Sequence, residues 1–107
     1  MPDALLVLTT VADRAAASAL AQALLERRLA ACVNIGAPVD SLYHWRGRIE
    51  TAQEIPLTIK TRAVLYDQVE AAIRALHDYE LPEIIAVPVS RGYGPYIGWL
   101  EDETSAG

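Results

Sequence analysis

The spacing of apolar positions changes along the chain in a regular order. Ala4 to Val11, ALLVLTTV, is an uncharged apolar run, the pattern of a central strand buried on both faces. Asp13 follows as an N-cap whose carboxylate can meet the free amides of the next turn. From Arg14 to Arg28 the period becomes helical. Ala16, Leu20 and Leu24 lie at i, i+4 and i+8, with Ala17 and Ala21 beside them. Arg27 and Arg28 are expected in the last turn, where cations suit the helix dipole.

Ala31 to Thr61 then reads as two long strands joined by a tight turn at Arg46-Gly47. Val33, Ile35, Ala37 and Val39 alternate with polar or small residues on the first leg, and Ile55, Leu57 and Ile59 on the second. Gly47 supplies the backbone freedom of the reversal. Pro38 and Pro56 cannot donate to a ladder, so each marks a bulge or an edge. Each leg of about a dozen residues spans roughly 40 Å. The helices that could cover it reach only about 24 Å. Tyr43 and Trp45 sit at the far end with nothing local to bury them. A strand pair left open in this way invites pairing with another chain. The expectation is a homo-oligomer with Tyr43 and Trp45 at its interface.

A second helical stripe, Leu65, Val69, Ala72, Ile73 and Leu76, predicts a helix from Val64 to His77, broken by Asp78 to Pro82. Glu83 to Val89 reads as a fourth, short strand. Tyr96 to Leu100 fits either a turn or two of helix or a short strand, and Glu101 to Gly107 reads as a frayed tail. The succession β-α-β-β-α-β plus a terminal element, over residues 1–107, predicts one α+β domain. It is the ferredoxin-like sandwich: a four-stranded antiparallel sheet with both helices on one face.

Composition narrows the function. A 52% hydrophobic content supports a core, and no apolar run is long enough for a membrane span. The start, MPDALLVLTT, lacks the pattern of a signal peptide, and one cysteine, Cys32, allows no intrachain disulfide. The expected setting is cytoplasmic. A net charge of −5 with scattered Lys and Arg argues against nucleic acid. Five Tyr, two Trp and no Phe suit half-wet interfaces and clefts.

Several segments in order resemble the CutA divalent-cation-tolerance family: LAACVNI (Leu29 to Ile35), SLYHWRGRIE (Ser41 to Glu50), EIPLTIKT (Glu54 to Thr61), HDYELPEII (His77 to Ile85), and the late Tyr96 and Trp99. The resemblance runs from Ala4 to Leu100. It implies a ferredoxin-like fold, a tight homotrimer, a cytoplasmic bacterial setting and a role in tolerance of copper and other divalent metals. It also associates His77 with copper. Some relatives carry a cysteine in the first strand, where this chain reads VLTTV, with Thr9 and Thr10.

Read from the residues alone, no two metal donors have a diagnostic spacing, so a site must assemble in space or between copies. Cys32 is either a small buried hydrophobe or a soft ligand for Cu²⁺ or another divalent ion. His77 is either a dipole partner at its helix end or a second ligand. His44 is expected to be exposed or at an interface. Lys60, Glu54 and Glu50 share one parity of the second leg. They form a solvated face, or a cleft between subunits closed by Tyr93, Tyr96 and Trp99. No nucleophile constellation is present, so the chain is expected not to be an enzyme and to need no organic cofactor. Two functions follow: a trimer serving divalent-metal tolerance, or a regulatory trimer, PII-like in architecture, holding a small anionic ligand in its clefts.

Overall fold

The computed structural model describes residues 3–105. The strands are β1 (Ala4–Val11), β2 (Cys32–Ile35), β3 (Val39–Trp45), β4 (Arg48–Arg62) and β5 (Ile85–Pro88). The helices are α1 (Arg14–Glu26), α2 (Tyr66–Leu76) and α3 (Gly94–Glu103). All pairing is antiparallel, in the order β2-β4-β1-β5, with β3 running on the upper part of β4. This is the α+β architecture that the periodicity predicts, with the first leg of the hairpin split in two. No helix among the described residues is long and apolar enough to cross a membrane.

Alternation on β1 and β4 makes the core. Val7 opposes Ile59, Thr9 opposes Leu57 and Val11 opposes Ile55. These side chains are buried on one face of the sheet, together with Ala17, Leu20 and Leu24 of α1 and Val69, Ala72 and Ile73 of α2. Val33 and Ile35 of β2 join from the edge. The opposite, outer face stays open. Leu6 and Leu8 are only half-buried there, and Ile85 and Val87 beside them are exposed, so β1 is not buried on both faces.

Asp13 caps α1 as expected, its Oδ1 accepting from the Ala16 amide at 2.8 Å. The helix ends at Glu26. Arg27 is its C-cap and Arg28 takes a left-handed φ of 56° beyond it, so the basic pair does not sit in the last turn. Arg28 instead reaches the end of α3, at the Glu103 carbonyl and carboxylate. α2 opens with a short 3-10 turn, Ala63–Leu65, and leaves Leu76 exposed. The fourth predicted strand shrinks to β5. The terminal element is helical, and the expected frayed tail is mostly ordered: Glu101 to Glu103 complete α3 and Thr104 is buried. Arg62 fastens it, Nε donating to the Thr104 hydroxyl at 2.9 Å. Ala106 and Gly107 lie outside the described residues.

The split in the first leg matters most. Gly36, Ala37 and Pro38 stand opposite only two residues of β4, Ile55 and Pro56, between the Ile35–Leu57 and Val39–Glu54 pairs. One extra residue makes a bulge and reverses which side chains share a face. Gly36 is required at the crossing: its amide donates to the Pro56 carbonyl at 2.9 Å, and a Cβ there would meet the proline ring at 2.9 Å. Beyond the bulge β3 and β4 leave the helices behind as a two-stranded ribbon. Arg46 and Gly47, with φ of 50° and 78°, turn its tip. The fifteen residues of β4, at ~3.3 Å each, account for the molecule's 45 Å length.

Candidate functional site

The ribbon has two unlike faces. Leu42, His44, Ile49 and Thr51 lie on one, all exposed. Ser41, Tyr43, Trp45, Glu50 and Glu54 lie on the other, and the segment after α2 folds against that side. His77 anchors the segment. Its Nδ1 accepts from the Tyr79 amide at 3.1 Å, which leaves the proton on Nε2, 2.6 Å from the Thr10 carbonyl, to which it donates. Its ring also meets that of Tyr79, with centroids 4.5 Å apart. Arg46 at the tip contacts both carboxylate oxygens of Glu80 at 3.0 Å, and its guanidinium lies 5.2 Å from the Trp45 ring centre.

Between ribbon and segment lies a cavity of about 550 Å³. Its walls include Thr10, Tyr43, Trp45, Glu54, Tyr79 and Glu83. Glu54 sits at the sheet end of this space, 8% exposed, its Oε2 accepting from the Thr10 hydroxyl at 3.2 Å. Burial, and after it the facing Glu54 carboxylate, push the Tyr79 hydroxyl up to about 12.

This pKa has a checkable consequence. Tyr79 folded keeps its proton until about pH 12, while the unfolded side chain releases it near pH 10. Its contribution to stability is therefore complete below about pH 10 and disappears as pH climbs toward 12. In an alkaline absorbance titration at the tyrosinate band, one tyrosine should ionise well after an ordinary one. Glu54→Gln should bring that late step down. A late step unmoved by the substitution would place its cause elsewhere.

The other end of the outer face holds a separate group. Lys60 Nζ lies 5.7 Å from the Tyr96 ring centre, and Tyr96 meets Trp99 at 5.4 Å. Cys32, half-buried, is the cross-strand partner of Lys60. Tyr93 is exposed at the start of α3.

Within one copy, therefore, the structure does not gather Lys60, Glu54, Glu50, Tyr96 and Trp99 into one cleft. Six residues of β4 separate Lys60 from Glu54, roughly 20 Å, and Glu50 lies farther along the ribbon opposite Tyr43. Cys32 and His77 are also apart. Cys32 pairs with Lys60, while His77 bonds Thr10, whose β4 partner is Pro56. That is roughly 13 Å along the strand direction alone. No group of three or more His, Cys, Asp or Glu able to hold a metal ion occurs among the described residues. A metal reaching His77 must displace either the Thr10 carbonyl or the Tyr79 amide. Thr10 and Tyr79 are cavity residues that sequence reasoning missed. The one available signal was a polar threonine ending an apolar strand, and Tyr79 was masked by the helix-breaking run around it.

Comparison with known proteins agrees with the fold. A sequence model of the family described as CutA1 divalent ion tolerance protein matches residues 5–103. The chain is 41% identical over 98 residues to the divalent-cation tolerance protein CutA of Thermus thermophilus, covering 92% of this chain and 95% of that one. It superposes on CutA1 of the psychrotrophic bacterium Shewanella sp. SIB1 with a TM-score of 0.94 at 41% identity, covering 98% of each chain. For CutA of Archaeoglobus fulgidus, described as a periplasmic divalent cation tolerance protein, the TM-score is 0.93 at 34% identity, with 95% of this chain and 99% of that one covered. The chain spans about half the length of the plant and animal relatives it matches.

Proposed function

The chain belongs to the CutA1 divalent ion tolerance protein family, and from that membership we propose that it serves tolerance of divalent cations as a cytoplasmic, non-enzymatic homotrimer. The observation that carries the assembly is the ribbon. Its open face exposes 68% of Leu42 and 71% of Ile49 beyond the reach of α1 and α2. Such a surface favours association with copies of itself. A copy that wraps around the arm also meets Tyr43 and Trp45 on the ribbon's other face.

Copper or another divalent ion is the proposed cargo, with the Cys32 thiol and the His77 imidazole as its donors. Because one copy keeps these two apart, the donors to any one ion come from more than one copy. Calorimetric titration with Cu²⁺ tests this. Binding tighter than about 10 μM (roughly −7 kcal/mol) is expected in the native chain, and Cys32→Ala and His77→Ala should each weaken it. Absence of such binding would leave tolerance as an indirect effect and overturn the donor assignment.

A further inference from the structure

Pro56 interrupts the pairing of β4 at the root of the ribbon. Facing residues of a hydrogen-bonded antiparallel pair exchange two bonds, each N–H meeting the other's carbonyl. The Gly36 amide donates to the Pro56 carbonyl at 2.9 Å, but a proline has no N–H to return. The carbonyl of Gly36, a half-buried residue, is therefore left without a donor from its partner strand. A donor comes from outside the sheet instead: the Arg14 guanidinium, at 3.0 Å. Arg14 is the first residue of α1, and no acidic residue stands in that first turn. A cation there opposes the helix dipole, which favours anions at this end. Nor does Arg14 take part in either of the two ion pairs of the described residues, Arg28 with Glu103 and Arg46 with Glu80. Helix formation does not account for an arginine at this position, whereas the orphaned carbonyl does.

We propose that Arg14 is a positioning residue for the ribbon: it stands in for the amide that Pro56 lacks and locks the joint where β2 passes into β3. Pro56 opens the gap in the ladder. Gly36 lets the proline ring pack where a Cβ would meet it at 2.9 Å. Arg14, 22 residues away in the chain, ties the gap to the helix layer. The ribbon is braced elsewhere by Thr10 on Glu54 and by Arg46 on Glu80. Those contacts hold β4 and the tip, while Arg14 holds the first leg at its root. A bulge already bends the strand and disrupts the ladder, so a ribbon freed of Arg14 would swing about this point. The direction of the ribbon decides how it meets another copy. On the homotrimer reading, which this consequence rests on, Arg14 therefore also serves assembly.

The test is amide hydrogen exchange, read by mass spectrometry, on the full-length chain and on Arg14→Ala, Arg14→Lys, Pro56→Ala and the double variant Arg14→Ala/Pro56→Ala. Arg14→Ala is expected to speed exchange across the ribbon, Val39 to Glu54, about two- to tenfold, the factor for one lost hydrogen bond. Exchange in β1 should stay as it was. Arg14→Lys keeps a donor and should recover part of the protection. Pro56→Ala returns an amide to β4, so in that background Arg14→Ala should change ribbon exchange by less than about twofold. A role confined to α1 predicts the opposite pattern. Relief of the dipole would slow exchange in the helix, leave the ribbon untouched and ignore the proline substitution. Ribbon exchange unchanged in Arg14→Ala, or an equal effect of Arg14→Ala with and without Pro56, would overturn the proposal. Sedimentation of the same variants reads assembly separately, and weaker association is expected for Arg14→Ala. The exchange measurement reads the joint within each copy, so a native chain that sediments as a monomer would overturn the trimer and leave this test in force.

Discussion

Replacing Ile59 with alanine is expected to cost about 2–5 kcal/mol of folding stability, the range for removing a large buried aliphatic side chain. Ile59 is fully buried at the middle of the sheet, opposite Val7 on one side and Val33 on the other. Its neighbours belong to two strands as well as the helices, so collapse into the vacated space would have to move several elements at once. The upper part of that range is therefore expected. It would remove a large share of the ~5–15 kcal/mol typical of a domain. Ile59→Val, which deletes one methylene, should cost only about 0.5–1.5 kcal/mol. Denaturant unfolding at fixed protein concentration measures both. A cost below about 1 kcal/mol for the alanine variant would mean that this position is not the centre of the core.

The second large effect concerns the ribbon. Substituting Leu42 and Ile49 together by serine is expected to release monomers of 11.6 kDa from an assembly three times that mass. Both side chains are on the open face and leave the pairing of β3 with β4 untouched. The fold of each copy should survive, and the loss should appear as dissociation in sedimentation velocity. Apparent melting temperature should also become sensitive to protein concentration, because association stabilises by mass action. A native chain that sediments as a monomer at micromolar concentration would overturn the trimer. A double variant that still sediments as a trimer would move the interface off this face.

Much of this architecture could be read from the chain because local and global signals agree. β1 has the predicted limits, Asp13 caps α1, and Gly47 turns the ribbon. The break at Gly36 to Pro38 was hidden by an accident of spacing. Val33, Ile35, Ala37 and Val39 keep perfect alternation through it, so the period carries no mark of the extra residue. In the structure Val33 and Ile35 pack against the core, while Val39 is exposed on the side of the ribbon that carries Glu54. The two prolines were the only warning, and they pointed to a bulge without locating it.

The length of β4 dispersed the candidate site. Shared parity suggested that Glu50, Glu54 and Lys60 act together, and they do lie on one side of β4. But a strand of this length spreads a single parity over most of the molecule. Which members of the row meet is decided by what crosses them: α3 at Lys60, and the segment after α2 at Glu54. Those crossings are tertiary, and a strand's own pattern does not encode them. The pairing of Tyr79 with Glu54 was out of reach for the same reason.

The bulge also sets a rule for how such chains can differ in length. Losing one residue between Gly36 and Pro38 would roll β3 over against an unchanged β4. Leu42 and His44 would then take the face beside Glu54, and Tyr43 and Trp45 would pass to the open face. Insertions and deletions on this arm are therefore tolerable only in twos, or at the tip, and a single-residue change would exchange the oily side of the arm for its receptive one.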